Sequence, residues 1–97
     1  MTNLEKLRVA KISTGHVSAS TATMLNTKPC AEWPCAGGCY SDYGWFIYAH
    51  DENCGEGDQR IPEDLFAVMT WAGQNGCSHI LFHQDADEVD GLPFYDW

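Results

Sequence analysis

The side chains best suited to chemistry are five cysteines and four histidines. Cys30, Cys35 and Cys39 share one loop, and His50 and Cys54 follow the next apolar run, so a thiolate-rich tetrahedral zinc site is one arrangement open to them. The spacing argues against it. Structural zinc sites pair their ligands two to four residues apart on tight knuckles, and a Cys-x4-Cys-x3-Cys run does not make two such pairs. Ordinary free cysteines and no cofactor are therefore expected, with zinc on Cys30, Cys35, Cys39 and Cys54 as the alternative. His79 and His83 lie four apart, a metal spacing on a helix, but on a strand the rise of about 3.3 Å per residue puts them roughly 13 Å from each other. Nucleophilic catalysis needs a thiol against a base, and Cys77 with His79 and Cys54 with His50 are the close pairs in sequence. Neither pair is supported by more than proximity.

Asp85, Asp87, Glu88 and Asp90 match no calcium-loop spacing and read as a solvated acidic turn. The chain has no phosphate-cradling glycine motif and no nucleophile elbow. The reading therefore leans away from an enzyme and towards a binding protein. Net charge is −9. Residues 1–28 set Lys6, Arg8, Lys11 and Lys28 against Glu5, while Arg60 is the sole cation of residues 29–97. So acidic a surface repels nucleic acid and anionic membrane and favours a basic protein partner, although acidity also keeps small proteins soluble.

The elements that must position these groups follow from periodicity. Tyr43–Ala49 is a run of aromatic and β-branched residues that reads as the central strand, with Trp45, Ile47 and Ala49 on one face and Phe46 and Tyr48 on the other. Leu7–Ile12 is a first strand whose Arg8 and Lys11 suit a sheet edge. Val17–Asn26 is a short helix with Ser18 as its N-cap. The segment 27–42 contains Pro29, Pro34, Gly37 and Gly38 and is expected to be a loop. Residues 50–60 read as a mobile acidic loop. Ile61–Leu65 opens the best helix, with Leu65, Val68, Met69 and Ala72 at helical spacing and Gly76 as its stop. Ser78–His83 reads as a strand parallel to the central one through a right-handed crossover. Glu88–Asp90 is a possible antiparallel return, and the aromatic tail 91–97 is expected to dock with its rings over one sheet face.

The chain is thus expected to be one α+β domain over residues 1–97, a two-layer sandwich of a three- to four-stranded mixed sheet and two helices in β-α-β-α-β order. A parallel pair would bring Asp51, Glu52, Glu56 and Asp58 to the same edge as Asp85, Asp87, Glu88 and Asp90, and these eight acids are the candidate partner-binding groups. No apolar run reaches the roughly 20 residues of a membrane span, and no signal-peptide core follows Met1. A cytoplasmic protein is expected.

Ile12-Ser13-Thr14-Gly15-His16, Tyr43-Gly44-Trp45-Phe46 and Gly91-Leu92-Pro93-Phe94-Tyr95-Asp96-Trp97, with Ile61–Leu65 and Gly76-Cys77 between them, resemble an uncharacterised family of small proteins carried on bacterial plasmids, phages and other mobile elements. Gly15 stands where the resemblance implies alanine, and the cysteine loop departs from its pattern. The resemblance implies a setting and no reaction. Setting and charge together give the expected function: a non-enzymatic anti-defence inhibitor, anti-CRISPR or anti-restriction, whose acidic surface mimics DNA and occupies the basic groove of a host nucleic-acid-binding complex. The alternatives are a zinc-binding domain or small hydrolase using the Cys and His groups, and an antitoxin-like regulatory partner.

Overall fold

The computed structural model describes residues 6–53 and 55–95, except the side chain of Asp58. Four strands, β1 (Val9–Ser13), β2 (Gly37–Tyr40), β3 (Gly44–Tyr48) and β4 (His79–His83), form one mixed sheet in the order β1-β4-β3-β2. Two helices, α1 (Ala19–Thr27) and α2 (Glu63–Gln74), complete the α+β fold. Alternation decides which face is covered. Ile12 of β1, Trp45 and Ile47 of β3, and Ile80 and Phe82 of β4 are buried with Ala22 and Leu25 of α1 and Leu65, Val68, Met69 and Ala72 of α2 in a single core. Both helices therefore lie on one face of the sheet. The intervening strand positions, Lys11, Phe46, Tyr48, His79, Leu81 and His83, form the other face and stay at least partly exposed.

Local chemistry accounts for the element boundaries. The Ser18 side chain caps α1 by accepting the Thr21 N–H. Its own N–H donates to the Asp64 carboxylate at 2.7 Å and the Thr21 hydroxyl to the same group at 2.8 Å, so one acid in the first turn of α2 ties the starts of both helices together. Gly76 ends α2 at a φ of +75°, which a side chain rarely adopts. In the loop before α2, Asn53 clasps Ile61, donating to its carbonyl and accepting its N–H, both at 2.9 Å.

Three expectations are corrected. First, β3 pairs antiparallel to β4, from Gly44 opposite His83 to Tyr48 opposite His79, and the parallel partner of β4 is β1. The segment 49–62 is long enough to carry the chain along the sheet before α2 starts, so α2 returns it to the end where β3 finished. Second, segment 27–42 is not wholly irregular: a 3-10 turn at Cys30–Glu32 is followed by β2, an edge strand antiparallel to β3. Gly37 explains why a strand forms in so unpromising a sequence, since a Cβ there would press on the Phe46 backbone. Third, Glu88–Asp90 is not a strand. The chain there runs beside β1, where Ser13 N–H donates to Asp87 O at 3.2 Å.

Candidate acidic end of the sheet

Because β3 and β4 are antiparallel, the expected edge of eight acids does not form. Asp51 and Glu52 leave β3 at one end of the sheet and Asp85 follows β4 at the other, so the two acidic segments start a strand length apart, roughly 13 Å. Glu56 comes later in the segment that runs back towards α2. The side chain of Asp58 lies outside the described residues, as does Cys54. The end beyond β4 instead gathers a residue the sequence reading missed. Asp42 sits in the tight turn between β2 and β3, where Tyr43 N–H donates to Tyr40 O at 3.1 Å and Ser41 adopts a φ of +50°. Since Tyr40 pairs with Gly44 and Gly44 with His83, this turn stands beside Gln84 and Asp85, where Gln84 N–H donates to Tyr43 O, while Asp87–Asp90 cross the same end of the sheet to run past β1. Asp42, Asp85, Asp87, Glu88 and Asp90 are all exposed, and residues 40–44 and 83–90 contain no Lys or Arg. Had β2 been recognised as a strand, Tyr40-Ser41-Asp42-Tyr43 would have read as a hairpin turn and Asp42 as a neighbour of β4.

A cleft of about 220 Å³ opens at this end, lined by Thr14 after β1, Gln84 after β4, Asp42 and Tyr43 of the turn, Trp45 of β3 and Asn26 of α1. The Trp45 indole N–H donates to Asn26 Oδ1 at 3.2 Å, which fixes the orientation of that amide. Tyr43 stacks on His83 with centroids 5.3 Å apart and planes 12° apart. Asp85 N–H donates to His83 Nδ1 at 3.0 Å, holding the imidazole in place.

The cysteines and remaining histidines serve other roles. Cys30 and Cys39 are exposed, Cys35 is buried, and burial pushes the Cys35 thiol up to about 11. Among the described residues, no three His, Cys, Asp or Glu side chains are placed to hold a metal ion. His50 Nε2 accepts the Ala36 N–H at 2.9 Å. His79 bonds Ser78 Oγ at 2.7 Å and stacks on Phe46, while the Cys77 thiol points to Asn75 O, so the pair Cys77 and His79 is not assembled as nucleophile and base.

His16 is almost fully buried. Its Nε2 accepts the Val89 N–H at 2.9 Å, so Nδ1 carries the proton and donates to Pro93 O at 2.8 Å. The ring thus serves the backbone, and its partners lie 73 and 77 residues away in sequence. Tyr95 N–H also donates to Gly15 O at 2.7 Å, and Phe94 meets the His16 ring edge to face. The tail is thus docked at residues 13–16 and not across a sheet face, as expected from its aromatic content; Asp96 and Trp97 lie outside the described residues. Two of the stretches that carry the family resemblance are in this way joined to each other by one imidazole.

No helix among the described residues is long and apolar enough to cross a membrane. No curated protein and no solved structure matches the chain. The family model described as "Family of unknown function (DUF5983) C-terminal domain" matches residues 9–97, and the chain belongs to that family.

Proposed function

We propose that this domain is a non-enzymatic protein-binding module whose partner presents a basic, nucleic-acid-binding surface. The observation that carries the reading is that one end of the sheet has Asp42 beside Asp85 at β3 and β4 and then Asp87, Glu88 and Asp90 passing β1, with no Lys or Arg in either contributing segment. A concentrated field of one sign accelerates encounter with an oppositely charged partner and rejects like-charged ones, nucleic acid among them. The resemblance to proteins of plasmids and phages gives the reading its finer form: an anti-defence inhibitor that occupies the DNA- or RNA-binding groove of a restriction or CRISPR complex. The test is capture of host nucleases and CRISPR complexes on the purified protein, across a salt series and with DNA as competitor. Binding that weakens with salt and is displaced by DNA supports the reading; no capture at low salt overturns it.

A further inference from the structure

We infer that the cleft beside Asp42 is the receptor for a single arginine side chain of that basic partner. The inference rests on the reading above and names its anchor point. The cleft is about 220 Å³, below the roughly 300–1,000 Å³ usual for cofactor and drug-sized ligands, so it suits one side chain better than a whole cofactor. Its walls match a guanidinium. Asp42 among the lining residues carries a carboxylate, and Thr14, Gln84 and Asn26 carry neutral oxygens that can accept. The Asn26 amide is turned so that its oxygen meets the Trp45 indole N–H, and a carbonyl oxygen retains a second lone pair for another donor. Tyr43, which stacks on His83, also lines the cleft, and a tyrosine ring attracts a planar cation to its face. Among the described residues, no Lys or Arg lines the cleft; Lys28 and Arg60 line a separate one with Met24 and Pro62.

Arginine fits this set better than lysine because its donors form a planar fork that engages a carboxylate and an aromatic face together, whereas an ammonium is a compact, strongly hydrated point charge. Arginine is also among the residues that dominate interface energetics when they enter a well-formed pocket. The cleft would thereby add a fixed point of contact to a field that otherwise only attracts.

The experiment is an NMR titration of the isotopically labelled chain with N-acetyl-arginine methylamide, the matching lysine and citrulline derivatives, and glucose. The reporters are the Trp45 indole N–H, the Asn26 and Gln84 side-chain amides and the Gly44 backbone amide. The expected result is saturable shifts with the arginine probe at about millimolar concentration, at least tenfold weaker binding of neutral citrulline, and loss of the response in Asp42→Asn but not in Asp51→Asn. Gln84→Leu gives a second variant that keeps the carboxylate and should weaken the arginine response. Absence of saturable shifts up to about 50 mM probe, or equal shifts with citrulline or glucose, overturns the proposal. Its failure is separable from failure of the partner reading. Capture of a basic partner without arginine binding sinks the cleft alone; arginine binding without capture of any basic partner sinks the partner reading and leaves the cleft as a guanidinium site.

Discussion

His16 fastens together segments 73 and 77 residues apart in sequence through one ring with two defined hydrogen bonds. Removing it empties a buried ring site and leaves the part-buried Val89 N–H and Pro93 carbonyl without their partner, where an unsatisfied polar group costs up to about 1–3 kcal/mol. His16→Ala is therefore expected to destabilise the domain by about 2–4 kcal/mol, read as a lower midpoint in urea. Gly15→Ala is the milder neighbour. A Cβ there comes within 2.5 Å of the Phe94 ring, but that ring is about half exposed and can swing away, so a cost under about 1 kcal/mol is expected. Cys35 offers a test by pH. Its folded thiol lies near 11 against an ordinary 9.0, so the folded chain keeps a proton that the unfolded chain releases. Stability should hold below about pH 9 and fall as pH rises towards 11, with a shallower fall in Cys35→Ala. At pH 8, alkylation followed by mass spectrometry should find Cys30 and Cys39 modified in the native protein and Cys35 only after unfolding.

Between elements, the tightest constraint is at the start of β3. A Cβ on Gly44 would run into the Phe82 backbone carbonyl, and backbone cannot step aside as the Phe94 ring can. Gly44→Ala should force β3 away from β4 and lower stability by more than about 3 kcal/mol, far beyond Gly15→Ala in the same urea assay. The contrast also shows what could be read from the chain. Leu65, Val68, Met69 and Ala72 announced the buried face of α2, and Ser18 its capping role in α1, because these depend on neighbours within a turn or two. Strand pairing depends on where a long connection goes, and nothing in residues 49–62 says that it travels back along the sheet. The same gap hid the candidate site. Asp85 and Asp87 were legible as acids, but Asp42 joins them only through β2, a strand whose two glycines resemble a loop until Gly37 is seen against Phe46.

At the scale of the whole molecule, the antiparallel pairing turns one expected acidic edge into two acidic regions, one starting with Asp51 and Glu52 after β3 and one starting with Asp85 after β4, at opposite ends of strands roughly 13 Å long. That distance exceeds the Debye length of about 8 Å at physiological ionic strength, so the two regions act on an approaching partner almost independently. Neutralising one should therefore be distinguishable from neutralising the other. The triple variant Asp42→Asn, Asp85→Asn, Asp87→Asn removes charge from the two segments that contain no Lys or Arg. Its association rate with a captured basic partner is expected to fall at least about tenfold in low salt and to lose most of its salt dependence. The variant Asp51→Asn, Glu56→Gln alters the connection between β3 and α2, which also carries Arg60, and should change the rate by less than about threefold. Stopped-flow association at several salt concentrations separates these outcomes from lost stability, because all five side chains are exposed and both variants should melt close to the parent. Equal effects from the two variants would mean that net charge alone attracts the partner, and that the end beyond β4 has no privileged role.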